Sequence, residues 1–420
     1  MRLLKHACAC ALVTCAAFPY RFETGAGLFA TVSVLDFAFL ISTLVVVVSA
    51  CRRGHLSIGH RGVAIALALA PLLAFCSLLW AVDFRMALKA VTLYAYALAL
   101  YIVVVNLLDD APARFTAGLF SWFAIVVLMG ALFLYLRVPG FDLFAAVDSP
   151  VDLDRIAAAY ARFSHPFIGL SNDFAPILAF TLFAILGFGR LQPRLWDKPL
   201  AAVLAIGLFL TFSRGVLIGF LLVSLAYWTG SRFNLRLLAK ALVVSMIVGA
   251  AVYVFTSRYA FSVGERQISG RDIVIDRLSN PGTVGVRAAT YRTSLALVWR
   301  RPLLGYGTGI FDPDRSGQLS GTSHSTYLQQ LLFYGVPLGM LSSLAWIVLA
   351  HMFWKWNTTT GDTRRFAKAV GAALAVILIA AASETFMEAT VPRLLIYLLV
   401  GMSTALLNAS DASVPEAAVR

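Results

Sequence analysis

His324 closes a segment, residues 257–323, that carries nine arginines and no lysine, and it opens an apolar run reading H-S-T-Y-L-Q-Q-L-L-F-Y-G-V-P-L-G. An imidazole exchanges protons near neutral pH because its unperturbed pKa is about 6.5. Guanidinium groups are permanently charged planar forks that match phosphate oxygens in pairs. Side by side at the edge of a hydrophobic segment, the two types suit general-base chemistry on a phosphate-bearing lipid. The arginines are Arg258, Arg266, Arg271, Arg277, Arg287, Arg292, Arg300, Arg301 and Arg315, facing Glu265, Asp272, Asp276, Asp312 and Asp314. Nine cations against five anions leave a surplus of four, so some arginines are expected to pair on a solvated surface and a subset to bind an anion. Arg292, Arg300, Arg301, Tyr291 and Ser325 are the weaker candidates for contact with substrate.

A separate arginine, Arg214, lies in T-F-S-R-G between two apolar runs whose flanks, 190–198 and 232–240, are both basic. The chain must therefore enter and return within residues 199–230. Arms of about 14–16 residues make about 21–24 Å of helix, short of a hydrocarbon core of about 30 Å. The tip at Ser213 and Arg214 is expected below the membrane surface, inside the protein, where an ionised Arg costs on the order of 2.5–3.5 kcal/mol and marks a functional site.

Other polar residues carry smaller expectations. His324, Leu328, Leu331 and Gly335 share one face of a helix beginning near Ser323, and Gly335 is expected to allow close packing beneath the histidine. Of six histidines only His165 and His324 fall on the outer side, and no carboxylate cluster accompanies them, so no metal is expected. Asp312-Pro313-Asp314 reads as a turn, and His165, in S-H-P, ends a loop segment. The glycines of P-L-L-G-Y-G-T-G, after Arg300 and Arg301, read as an ordinary loop or as backbone able to approach phosphate. Glu384 and Glu388 are expected to pair with Arg393 or to position an acceptor hydroxyl, and Asp36 to find a polar partner in the bundle.

The elements that must position these groups follow from composition. With 60% hydrophobic and 13% charged residues over 420 positions, and a mean hydropathy of +0.83, the chain reads as an all-α polytopic membrane protein forming a single membrane domain, 1–420. Apolar runs place about twelve spans at 7–20, 28–50, 62–82, 86–108, 115–136, 173–189, 199–212, 215–230, 238–256, 325–353, 369–389 and 394–408. Basic residues follow even-numbered spans, at Arg52, Arg53 and Arg61, at Arg190, Arg194 and Lys198, at Arg232, Arg236 and Lys240, and at Lys355, Arg364, Arg365 and Lys368. These exits read as cytoplasmic, with both termini, and the loops 137–172 and 257–323 as periplasmic, the latter partly helical. Arg2 and Lys5 before an apolar stretch resemble a signal peptide, whose removal would leave eleven spans and move no loop. Cys8, Cys10, Cys15, Cys51 and Cys76 lie in or beside the first three spans and indicate neither disulfides nor a metal site. The net charge of +13 is spread over both sides, which argues against a nucleic-acid surface.

With these motifs in place, the chain resembles the O-antigen ligases and the related O-antigen polymerases, bacterial glycosyltransferases that use polyprenyl-linked sugar donors. The matching pieces are T-F-S-R-G at 211–215, Arg287 followed by W-R-R-P-L-L-G-Y-G-T-G-I-F at 299–311, and H-S-x9-G from His324 to Gly335; S-N-D-F-A-P at 171–176 matches more weakly. The family often has Asn where Ser325 stands, and a second glycine three residues after the first, whereas Gly339 is four after Gly335. The resemblance implies a GT-C-like, cofactor-free glycosyltransferase of the bacterial inner membrane. Its donor is O-polysaccharide on undecaprenyl pyrophosphate, and its acceptor a sugar hydroxyl of lipid A–core. His324 is implied as general base, with Arg214 and Arg287 on the pyrophosphate. A polymerase with the same donor is the alternative. A protein O-oligosaccharyltransferase and a transporter of anionic lipids or solutes stand further off.

Overall fold

A computed structural model of the chain describes residues 1–18, 21–23, 31–135, 163–168, 171–188, 195–229, 260–263, 266–269, 282–309, 323–356, 361–385 and 389–412. Helices run α1 (Arg2–Ala17), α2 (Val34–Arg53), α3 (Arg61–Cys76), α4 (Phe84–Leu108), α5 (Ala113–Tyr135), α6 (Ser171–Phe188), α7 (Asp197–Leu210), α8 (Arg214–Thr229), α9 (Gly282–Arg300), α10 (Thr326–Trp354), α11 (Gly361–Ala381) and α12 (Thr390–Ala412). Seven of them (α2, α3 with the turn after it, α4, α5, α6, α10 and α12) are long and apolar enough to cross a membrane. The ninth expected span, 238–256, and most of the loop 137–172 lie outside the described residues. Within 257–323 the expected helical part is α9, preceded by a hairpin of β3 (Ala260–Val263) and β4 (Arg266–Ser269).

Three expected spans need correction; the eleventh, read as 369–389 with Glu384 near its outer end, is α11 at Gly361–Ala381 and stops before Glu384. The second was read from residue 28, but β1 (Arg21–Glu23) pairs antiparallel with β2 (Thr31–Ser33), and α2 starts only at Val34. A capping box fixes that start: the Ser33 hydroxyl accepts from the Asp36 N–H, and the Asp36 carboxylate accepts from the Ser33 N–H at 2.7 Å. Asp36 therefore has a polar partner at the helix start, in Ser33, and its carboxylate also interacts with Tyr96 of α4, a partner in the bundle as expected.

The tenth span is not one rod. Gly335 has φ 75° and ψ 178°, a conformation close to glycine-only, and it divides α10 into a nine-residue arm, 326–334, and a longer helix, 336–354. The arm folds back on the longer part. Ser342 Oγ donates to Gln330 Oε1 at 2.8 Å across twelve residues, which a straight helix would hold about 18 Å apart. The fold brings Gly339 against the Gln330 carbonyl, where a Cβ would sit 2.7 Å from the oxygen. Gly335 thus serves close approach, as expected, but by breaking the helix. The backbone it admits is that of Leu303 and Leu304.

Residues 302–309, the glycine-rich motif, are threaded through this break. Val336 N–H donates to Pro302 O at 2.6 Å, Tyr306 N–H to Leu332 O at 2.8 Å and Gly307 N–H to Phe333 O at 2.9 Å. On the far side, Thr308 N–H donates to Ser77 Oγ at 3.2 Å, and Val82 N–H to Tyr306 O at 3.0 Å. Gly307 abuts Ala81 and Gly309 abuts Met86, both at positive φ. The motif is a strap joining α3, α4 and α10.

Around it, α11 packs against α6, α8 and α10, while α12 packs against α4, α6 and α5. At the end of the bundle away from His324, Lys5 is 1% exposed and donates to Asp109 at 2.6 Å and Asp110 at 2.8 Å, and Arg53 also reaches Asp109. The ring of His60 lies 4.5 Å from that of Trp356 at the same end. The turns bearing Arg52, Arg53, Arg61 and Lys355 therefore share one end, as their common assignment requires. Leu12 and Ala16 of α1 are fully buried against neighbouring helices.

Gly335→Ala should lower folding stability by on the order of 3 kcal/mol, because a Cβ adds strain to a conflict with the strap backbone. Gly361→Ala, at a position with nothing within 4 Å of the added Cβ, should be close to neutral. Thermal unfolding of both variants in detergent measures the difference.

Candidate active site

The site is built on the carboxyl end of α11. A helix leaves its last carbonyls without partners in the helix, and here side chains from two other elements supply them. Tyr327 OH donates to Leu378 O at 2.7 Å, Tyr291 OH to Ala382 O at 3.2 Å, and Thr326 donates to Glu384 O through N–H at 3.1 Å and through Oγ1 at 2.9 Å. These bonds fix α9 and the arm of α10 onto α11.

Arg287 and Tyr291 are one turn apart on α9 and so face the same way. Arg287 Nη2 donates to Glu384 Oε1 at 2.6 Å, an oxygen that also accepts from Asn172 Nδ2 of α6 at 3.0 Å. The arginine side chain is 31% exposed and the carboxylate 12%, so the pair is partly open on the arginine side. Asp173, beside Asn172, is near enough for its charge to interact with that of Glu384.

His324 stands where the arm of α10 begins. Its φ is 51°, the left-handed region that side chains other than Gly and Asn seldom adopt. Tyr291 OH donates to the His324 carbonyl at 3.1 Å, and Ser323 Oγ donates to the Ser325 carbonyl at 2.7 Å, so the strained residue is held on both sides. Ser325 is the N-cap of the arm, accepting from Leu328 N–H. Asn and Ser cap about equally well, which explains physically how Ser325 replaces the Asn often found there. The imidazole is half-buried. Burial first, and the Arg287 charge second, hold its pKa below the usual 6.5 against an opposing pull from Glu384. Both effects favour the neutral imidazole.

The Arg214 hairpin has the expected short arms, 14 residues in α7 and 16 in α8. Its tip turns at Phe212, with φ 49°. Ser213 is buried as expected, and Thr211 with it, but the side chain of Arg214, which was also expected inside the protein, is exposed. The next residue, Gly215, lies against Ser383, which immediately precedes Glu384. Arg287 and His324 thus come from separate elements joined to residues 378–384, and the hairpin bearing Arg214 packs there through Gly215.

The remaining candidates separate cleanly. Arg292 is exposed and one residue beyond Tyr291, about 100° round α9 from it. Arg300 lies about 20 Å along the helix axis from Arg287, at about 1.5 Å per residue over thirteen residues. Arg301 lays its guanidinium 4.9 Å from the ring of Tyr306. The strap offers no phosphate cradle at Gly305, Tyr306, Gly307 or Thr308, whose N–H groups already have protein acceptors. His165 is fully buried among Phe18, Phe167 and Phe174. Its Nδ1 accepts from Phe167 and Ile168 N–H at 3.2 Å, and burial pushes its pKa down to about 3. It closes its own turn, as the S-H-P motif implied.

Arg393 was the expected partner of Glu384 and Glu388. It instead lies buried with its guanidinium 3.8 Å from the ring of Tyr94, and Glu384 takes Arg287. Glu388 and the Asp312–Asp314 turn fall outside the described residues. Among the described residues, no group of three or more His, Cys, Asp and Glu could hold a metal ion. Glu384 is the residue whose place sequence reasoning missed. Its signal was a carboxylate at the end of an apolar run, where a charge needs a partner.

A family profile described as O-antigen ligase matches residues 199–342. No curated protein matches the chain. The matched stretch holds the Arg214 hairpin, α9 with Arg287 and Tyr291, the strap, and His324 on its broken helix. The match supports an O-antigen ligase family assignment for residues 199–342, the part of the chain it covers.

Proposed function

We propose that the protein transfers O-polysaccharide from undecaprenyl pyrophosphate to a sugar hydroxyl of lipid A–core, at the periplasmic face of the bacterial inner membrane. The observation that carries this reading is the gathering of Arg287 and His324 about the end of α11, with the Arg214 hairpin packed on Ser383 through Gly215. The acceptor hydroxyl attacks the anomeric carbon as the bond from that carbon to the pyrophosphate oxygen breaks. Direct displacement inverts the anomeric centre, and His324 takes the hydroxyl proton. Arg287 and Arg214 stabilise the negative charge that grows on the departing pyrophosphate. No metal ion, cofactor or nucleic acid enters the reaction.

The orientation rests on charge. The turns with Arg52, Arg53, Arg61 and Lys355 lie at the end opposite His324, and their charge supports a cytoplasmic side for them and both termini and an outer side for the site. A transporter would hold its binding charges near the midplane with access from both sides; here they collect at one end. The polymerase alternative shares every step except the acceptor.

Purified protein given undecaprenyl-pyrophosphate glycan and lipid A–core should form the ligated product, and His324→Ala should cut turnover by about 10²–10⁴-fold. Product formed at the wild-type rate by the folded variant sinks the base assignment, and donor elongation without lipid A–core identifies a polymerase. Because the His324 pKa is held below 6.5 and the neutral form is the active one, kcat/KM should stay level as pH falls to 6.5 and decline only beneath it. An acid limb centred above pH 6.5 contradicts this. Addition of EDTA should leave the rate unchanged; loss of activity restored by magnesium would overturn the metal-free mechanism.

A further inference from the structure

Glu384 lies outside the matched stretch 199–342 and has no place in the steps above, yet it holds the cation that the donor needs. The Nη2 that holds Glu384 cannot at the same time serve a diphosphate, and the carboxylate offsets the positive charge the diphosphate needs. We propose, resting on the donor assignment above, that Glu384 is an exchangeable counter-ion: Arg287 pairs with it in the empty site, transfers to the donor diphosphate on binding, and is recaptured by Glu384 as the diphosphate product leaves.

Three features of the geometry support the exchange. First, the contact is one-sided. Arg287 uses Nη2 on Glu384 Oε1, and its side chain is 31% exposed, so it can swing toward an anion. Second, Glu384 does not move with it. Its carbonyl is tied to Thr326 by two hydrogen bonds, and its Oε1 keeps the bond from Asn172 at 3.0 Å after Arg287 leaves. Third, the freed carboxylate faces His324. Arg287 disfavours the imidazolium and Glu384 favours it. Once the diphosphate neutralises Arg287, the balance turns toward proton uptake, at the moment the acceptor hydroxyl must be deprotonated. The charged and polar groups gathered here are Arg214 of α8, Asn172 and Asp173 of α6, Arg287 and Tyr291 of α9, and His324 before α10.

The role is one of positioning, and it makes two measurements move in opposite directions. Glu384→Gln keeps an oxygen for Arg287 and Asn172 while removing the charge. Binding of undecaprenyl diphosphate to the purified variant, with inhibition of transfer by the same compound, should tighten by about tenfold as the competing anion is lost. Its kcat should fall at the same time, through slower product release and a weaker base. A residue that merely props the fold would loosen binding and lower kcat together. Glu384→Asp, which shortens the reach to Arg287 but keeps the charge, should tighten binding about threefold with the pH profile of the wild type. It serves the test if the Gln variant does not fold. Unchanged or weaker diphosphate binding by either folded variant overturns the exchange while leaving the donor assignment intact. Absence of undecaprenyl diphosphate binding by the wild type overturns both.

Discussion

The interaction on which the rest depends is the satisfaction of the α11 carboxyl end. Helix α11 stops at Ala381, and the carbonyls at and just past its end lack partners within the helix and are met by other protein donors. Tyr291, Thr326 and Tyr327 meet them, and in doing so bring in α9 and the arm of α10. The carboxylate of Glu384 extends the same logic from neutral to charged bonds, drawing Arg287 and Asn172 to one oxygen. A requirement of backbone hydrogen bonding thereby becomes a device for gathering functional side chains.

The strap explains how the histidine is held from the other direction. Residues 302–309 pass between the α3–α4 turn and the break in α10, bonded to both. Their glycines are needed for backbone-to-backbone contact: at Gly305 a side chain would collide with the Leu332 carbonyl, and at Gly307 with Ala81. The arm carrying His324 is consequently pinned along its length by the strap and at its start by Ser325 and Tyr291. A residue at φ 51° persists only where its surroundings over-determine it.

Much of this was legible in the sequence because charge inside an apolar chain is conspicuous. His324, Arg214 and Arg287 stand out by residue type, and the short arms about Arg214 follow from basic flanks on either side. The gathering of their elements about the end of α11 was not legible. Glu384 has Arg287 and Arg393 as possible partners, and only the crossing of α9 over the end of α11 decides between them. The break in α10 was hidden for a different reason: L-L-F-Y-G-V-P-L-G is apolar throughout, and hydropathy does not register a single glycine at φ 75°. The strap was ambiguous because glycine that admits another backbone and glycine that admits a ligand look alike until the neighbours are known.

The break also settles a question of length. Unbroken, the 29 residues of α10 would extend about 44 Å, far beyond a hydrocarbon core of about 30 Å, and would force steep tilt or a thickened bilayer. Folded at Gly335, the part from 336 to 354 measures about 28 Å, a natural match to the membrane thickness. The nine residues before it are released from crossing anything. They form a short re-entrant peg whose depth is set by contact with α11 and the strap, so the histidine at its tip is insulated from changes in bilayer thickness that would tilt a through-going helix.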